Sequence, residues 1–481
     1  MNTKKSNPIL LRFLLPILAL VTAFSFTGCN KVSISDYQSM VKEDVYNQYD
    51  MFKSDLYAIK SEDAMLEYFY QWGKDHKISC EKIGNDGFAM NLKASKNMEK
   101  AESTTIQCSV DSSNIAGTAK TAAMALVSME NTTTHGDVTV LFTKAGNGNS
   151  TAAKIPASYA KTDNFISLTE RSTPRLFIGS AAQAGASITR KVNTGSPQSG
   201  TAFKISISGC EGGDSAQRDR RHPNPIMYIG AVLNDCRKSG IVMEIASFTG
   251  GEHSWTFPQK SQAVICIASS EATKFQNQFE SAIDYYKDKY LKYESKMEFT
   301  IEETKLPETT VTSDSTYSIL SLLYTLHDGV FHPDSDDEED KEEDSDTLKA
   351  FSNVGTIAVK DGSLDIGIFS RSVDKKIFKN MLQTYKQTAS LSDATFTVDR
   401  TIPLWKGSKK DSLVTTLTSI ADKNNIKLIP DSTFKTTDAA IFADKNKKLH
   451  VVSMGVDMQD ATELTASLVI FLDGNGQNTD N

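Results

Sequence analysis

Along residues 62 to 170 the spacing of apolar positions switches repeatedly between helical and strand periods. "EDAMLEYFYQWGKDHKI" predicts an amphipathic helix, and "SCEKI", "GFAMNLKA" and "TTIQCSV" predict strands. "TAKTAAMALVSME" reads as a buried helix rich in alanine and methionine, and the strand "DVTVLFT" follows at once. A helix set between hydrophobic strands implies crossover connections and a largely parallel sheet. "NFISL", "RLFIG" and "ASITRKV" are expected to continue that sheet. Residues 29–61 are polar and helical, a lead-in to the fold.

A second unit is expected over residues 201–399. Strand "FKISISG" passes through a glycine-containing loop into helix "NPIMYIGAVLNDC". Strands "IVMEIASFT" and "AVICIAS", a long helix from Glu271 to about Tyr293, strand "MEFTIEE" and helix "TYSILSLLYTLH" come next. "GTIAVKDGSLDIGIFSRS" predicts a hairpin around Asp361-Gly362, a turn pair that tolerates positive φ. Helix "KKIFKNMLQTYKQ" and strand "ATFTVDR" close the unit. After it, helix "SLVTTLTSIADKNN", strands "IKLIP" and "LHVVSM" and helix "ATELTASLVIFL" return to the first style. The organisation expected is therefore an α/β domain in two parts, residues 62–200 and 400–475. An α+β module is inserted between them, and residues 476–481 form a tail. No repeat at solenoid spacing is present.

Composition adds less. The chain has 481 residues, 39% of them hydrophobic, and a net charge of -8. No basic stripe appears, so nucleic acid is not an expected partner. The N-terminus changes the picture more. Lys4, Lys5 and Arg12 flank an apolar run from Phe13 to Phe26, and "FTGCN" follows. The run falls short of the roughly 20 residues that a membrane span needs. Residues 1–28 read instead as a signal peptide with a lipobox-like end, which makes Cys29 the lipidation site. Phe26 departs from the usual leucine. Asn30 is not the aspartate associated with inner-membrane retention, so the expected location is the bacterial envelope, lipid-anchored at the outer membrane.

The other cysteines, Cys80, Cys108, Cys210, Cys236 and Cys266, are odd in number and form no CxxC pair. Buried free thiols are expected, one disulfide being the alternative. Asp334 to Asp346, "DSDDEEDKEEDSD", is a block of like charge that stays solvated; it lacks calcium-loop spacing. Arg218, Arg220, Arg221 and His222 cluster after the glycine loop. They form either a solvated edge or a contact for an acidic ligand terminus or acidic partner loop. Trp405 lines a cleft or packs in a core. No Gly-x-Ser-x-Gly elbow occurs, and "AGTAK" lacks phosphate-loop spacing.

Five stretches, in order, carry a resemblance: "IQCSVDSSN", "HGDVTVLFT", "SGCEGGDSAQRDRRHPNP", "GGEHSWTFPQKSQAVICI" and "VGTIAVKDGSLDIGIFSRS". Together they resemble the dinuclear-zinc dipeptidases of the aminoacyl-histidine dipeptidase, peptidase T and carnosinase type, over roughly residues 60 to 475. The resemblance implies a zinc-exopeptidase-like, mostly parallel sheet flanked by helices, and an inserted lid that often pairs subunits. It also implies two zinc ions, a bridging carboxylate and a glutamate base.

Carried over position by position, the chemistry is missing. The first metal histidine falls on Ser109, and the aspartate that orients it is kept as Asp111. The bridging aspartate falls near Ala116. The base and its neighbouring ligand fall near Gly146 and Asn147. The next aspartate falls near Glu170, and the lid histidine falls on Asp214. No histidine lies near "GVDMQDATEL". Alanine and glycine offer no donor atom, and every ligand completes an otherwise open coordination shell. The expectation is an envelope lipoprotein of metallodipeptidase-like fold without its zinc ligands and base. It would bind a peptide or partner chain at a cleft near Ser109, Asp111, Glu170, Asp214, Asp438 and Arg220, as a possible homodimer through the lid, with no cofactor. The alternative is a metal-dependent dipeptidase with a rearranged zinc site.

Overall fold

The structure, a computed structural model, describes residues 32–146, 150–213, 222–331 and 349–477. The expected signal peptide with Cys29, together with Asn147, Asp214, Arg220 and the acidic run 334–346, lies outside the described residues.

Polar caps open most helices. Ser33 caps α1 (Ile34–Leu56) through a capping box, and Ser61 caps α2 (Glu62–Asp75). Strands β1 (Ser79–Ile83), β2 (Gly87–Leu92) and β3 (Thr104–Val110) follow. Asn114 then caps α3 (Ile115–Asn131), and β4 (Val138–Lys144), β5 (Asn164–Glu170) and β6 (Arg175–Ser180) complete the first run.

The second region holds β7 (Ala182–Lys191), β8 (Thr194–Gly195), β9 (Thr201–Ser208) and α4 (Pro225–Lys238), the last capped by Asn224 with proline at its first position. It continues with β10 (Met243–Gly250), β11 (Ser261–Ile267), α5 (Ala272–Tyr290), β12 (Glu298–Thr304), β13 (Thr310–Val311), α6 (Ser313–Thr325) and β14 (Gly329–Val330). The hairpin β15 (Ala350–Lys360) and β16 (Ser363–Ser372) turns at Asp361 and Gly362, with φ of 51° and 72°, as the sequence predicts. Then come α7 (Lys375–Leu391) and β17 (Thr395–Ile402). The chain closes with β18 (Trp405–Lys406), α8 (Ser412–Lys423), β19 (Pro430–Thr433), α9 (Asp438–Lys445), β20 (His450–Val456) and α10 (Ala461–Gln477).

Two sheets of nine strands result. The first runs β1-β2-β4-β3-β5-β20-β6-β18, with β19 beside β6. Its centre, β4-β3-β5-β20, is parallel; β2 and β6 flank it antiparallel, and β19 pairs parallel to β6. On one face α1, α3, α8 and α10 cover a core built on Ile106, Cys108, Val110, Leu126 and Leu468. On the other face α9 covers a smaller core of Leu141, Phe165 and Phe442, and Trp405 packs there rather than in a cleft. The second sheet, β12-β9-β11-β10-β15-β16-β7-β17 with β14, is antiparallel throughout and has its own core with α4 to α7.

Three sequence expectations are corrected. "ASITRKV" belongs to the second sheet: β7 lies between β16 and β17, so that sheet begins at Ala182, ahead of the expected 201. Strand pattern identifies a strand but not its distant partner. "IKLIP" buries Ile426 and Leu428 by alternation, yet ladder pairing starts only at Pro430, parallel to β6. The short helix α9 was not anticipated. The five cysteines from Cys80 to Cys266 are free thiols.

Candidate functional site

Parallel strands deliver their carboxyl ends to one edge, and in open α/β sheets ligands bind outside that edge. The structure brings four of the sequence-predicted positions there. Asp111 follows β3, Ala116 lies in the first turn of α3, Gly146 follows β4, and Glu170 ends β5. Ser109 sits two residues before Asp111, on the face that α9 covers.

Asp111, Gly146, Glu170 and Ser109 are each engaged within the protein. Asp111 Oδ1 accepts the Ser113 amide at 2.8 Å and the Ser113 hydroxyl at 2.6 Å, closing a turn on itself. Gly146, at the position of the expected base, has φ of 62°, and its amide donates to both carboxylate oxygens of Glu62 at 3.0 Å. Glu62 opens α2. Burial pushes its carboxyl above the usual range, the Gly146 amide pulls it down, and the negative charge of Asp111 raises it again. Lys144 reaches Asp63 at 2.8 Å, tying the same helix end to the end of β4.

At Glu170 the protein supplies its own cation. Lys120 Nζ lies 3.0 Å from Glu170 Oε1, and the lysine side chain is only 8% exposed. Lys120 is four residues after Ala116 on α3, so the two positions lie one above the other on one face of the helix. Arg171 donates to the Glu170 carbonyl at 2.8 Å, and burial pulls its guanidinium below the ordinary value. Neither Glu62 nor Lys120 was picked out from the sequence. The signal for Lys120 was present: the one lysine of a helix read as buried, a charge that is rarely buried without a partner.

Asp438 gathers a polar cluster on the α9 face. Gln107 Nε2 lies within hydrogen-bond reach of Ser109 Oγ at 2.9 Å, Thr143 Oγ1 at 2.9 Å and Asp438 Oδ2 at 3.0 Å, and its two N–H groups serve these three oxygens between them. Ser109 donates its hydroxyl to Asp438 Oδ2 at 2.8 Å, and Ser167 donates to Gln107 Oε1. Burial raises the Asp438 carboxyl, while hydrogen bonds from Ser150, Ser109, Gln107 and Thr143 act the other way. Gln107, Ser167 and Ser453 are register neighbours across β3, β5 and β20, so three strands feed one polar row.

From the second sheet, Arg371 is 5% exposed and donates to Gln183 Oε1 at 2.8 Å, and Thr436 reaches the same oxygen at 3.2 Å. Of the basic cluster only His222 is described. Its Nδ1 lies 2.7 Å from the buried Glu294, which also accepts the Glu211 amide. Asn147, Asp214 and Arg220 lie outside the described residues.

No protein-family model matches this sequence, and no curated protein does. Among solved structures, the aminoacylhistidine dipeptidase from Vibrio alginolyticus matches with a TM-score of 0.66 at 15% identity, covering 92% of this chain and 99% of that one. The chain has the fold of that dipeptidase. Weaker likenesses extend over the di-peptidase Dug1p of Saccharomyces cerevisiae (TM-score 0.47, 7% identity, 94% and 100% of the two chains) and human carnosine dipeptidase 1 (0.45, 10%, 92% and 100%).

Among the described residues, the positions that the resemblance gives to the zinc pair are taken up by other contacts. Among the described residues no group of three or more His, Cys, Asp or Glu converges as a metal set. Ser109 donates to a carboxylate instead of standing as a nitrogen ligand, Asp111 closes its own turn, and the Glu170 carboxylate faces an ammonium.

Proposed function

We propose that this chain is a lipid-anchored bacterial envelope protein whose metallodipeptidase-like fold has lost its zinc ligands and catalytic base. It serves as a non-catalytic binder of a peptide or partner chain. The observation that carries this reading is the Lys120–Glu170 pair. A divalent ion beside Glu170 would share one carboxylate with an ammonium already in contact, and like charges at such spacing repel strongly where water is scarce. Gly146 supports the same reading. It has no side chain to take a proton from water, and its amide is spent on Glu62. A missing general base removes roughly 10²–10⁴ in rate.

In this proposal Cys29 carries the lipid at the outer membrane, the second sheet forms a lid, and copies pair through it. The experiment is a hydrolysis assay: Xaa-His dipeptides incubated with the purified protein and added zinc. No turnover above the zinc-only control is expected. Turnover that depends on Glu170 and Asp111 would overturn the reading.

A further inference from the structure

A second concave site lies further along the same sheet edge. β20 runs parallel to β5 and antiparallel to β6, and Gly455 is the register partner of both Thr169 and Arg175. Arg175, the first residue of β6, therefore stands level with the end of β5, on the far side of β20 from Glu170. Asp460 follows the end of β20 by four residues, and Lys427 follows α8. Between them opens a cavity of about 340 Å3, with Pro174, Ile426 and Ile429 on its walls. This is within the range of small-ligand sites. At about 30 Å3 per water it has room for roughly eleven waters, close to the heavy-atom count of one amino acid or a small dipeptide.

The charges around this cavity are the informative part. The Arg175 guanidinium, the Lys427 ammonium and the Asp460 carboxylate have no hydrogen-bond or ion-pair partner among the described residues. Two cations and one anion thus face one concavity without neutralising each other. Gly455 helps to build it. A Cβ there would meet Arg171 Cγ at 2.7 Å and Arg175 Cβ at 3.2 Å, so the glycine lets both arginine stems lie against the strand. Burial pushes the Asp460 carboxyl up, and the negative charges of Glu463 and Asp457 add to it. A ligand ammonium would relieve that repulsion.

We propose that this cavity binds a zwitterionic aliphatic amino acid, or a short peptide through both its ends. The ligand ammonium sits on Asp460, its carboxylate between Arg175 and Lys427, and its side chain on Pro174, Ile426 and Ile429. The cavity lies along the same sheet edge as Glu170, and Asp460 belongs to the stretch "GVDMQDATEL" to which the resemblance gives the last metal histidine; the proposal concerns binding at this cavity and not hydrolysis.

The test is calorimetric titration of the purified protein with L-leucine, N-acetyl-leucine and leucinamide. Saturable leucine binding is expected. Blocking either end should weaken it by roughly tenfold or more, as befits loss of one charge-assisted contact. Asp460→Asn should weaken leucine but leave N-acetyl-leucine unchanged, since that ligand has no ammonium to lose. Lys427→Gln, at an exposed position, should weaken leucine but not leucinamide, and serves if Asp460→Asn fails to fold. Failure of leucine to saturate by roughly 10 mM, well above the ~1 mM of weak specific binding, would overturn the proposal. Equal affinity of wild type and both variants would overturn it too. Neither outcome bears on dipeptide hydrolysis or on zinc.

Discussion

Lys120 Nζ and Glu170 Oε1 stand 3.0 Å apart, with the lysine side chain 8% exposed and the glutamate side chain 40% exposed. The pair is unequal: the ammonium is buried, while the carboxylate keeps contact with water. Removing a partner costs most when it strands a charge that water cannot reach.

That inequality sets the first prediction. Glu170→Gln leaves a buried ammonium without its counter-charge and should cost about 2–3 kcal/mol. Lys120→Met leaves a carboxylate that water can solvate and should cost about 1 kcal/mol or less. Urea unfolding of both variants checks this. A larger loss for Lys120→Met would mean that the lysine acts through packing and not through charge.

Asp438 makes a pH prediction. Its folded carboxyl is raised above the unfolded value, so the folded state holds the proton more tightly. Its contribution to stability is then full below the unfolded pKa of about 4 and is lost as pH rises through the raised folded value. Asp438→Asn removes that loss. The melting temperature of the variant relative to wild type should therefore rise between about pH 4 and pH 7. A difference that stays flat, or falls, over that window would show that the carboxyl is not raised in the folded protein.

Helix α9 packs on its face of the sheet through Ala439, Ala440, Ile441 and an aromatic stack. Phe442 and Phe165 have ring centroids 4.2 Å apart, and both are fully buried. Phe442→Ala should cost about 3–5 kcal/mol by transfer and cavity terms. It should also loosen Asp438, one turn earlier on the helix. Thermal unfolding combined with amide exchange at Asp438 to Lys445 reads both effects.

The Gly146–Glu62 contact makes a fourth prediction. Glu62→Ala removes the carboxylate that holds the amide, for about 1 kcal/mol of stability. It should leave zinc uptake unchanged, since no donor is created. Equilibrium dialysis with zinc, read beside the unfolding curve, separates the two effects. Zinc retained by the variant alone would mean that Glu62 was masking a metal site.

Local pattern made most elements legible. The period changes from "EDAMLEYFYQW" to "DVTVLFT" correspond to α2 through β4, and Asp361-Gly362 marked its hairpin. What escaped was non-local. β7 reads as a strand wherever it pairs, and its place between β16 and β17 is decided by residues some 175 and 210 positions later. α9 is a single eight-residue helix whose opening residue Asp438 also serves the polar cluster, and so short a segment carries little periodic signal. In the site, the positions Ser109, Ala116, Gly146 and Glu170 were legible only through the family resemblance, which carries them over residue by residue. Their partners Glu62, Lys120 and Gln107 were not, because each arrives from another element and its pairing depends on the fold.

Metal content tests the central claim most directly. The protein is purified without chelator or affinity-tag metal, dialysed against micromolar zinc, and analysed for bound metal per chain. The account predicts a stoichiometry near zero, because Lys120 already answers the charge of Glu170 and the Ser109 hydroxyl is committed to Asp438. One or two tightly held zinc ions per chain would contradict it.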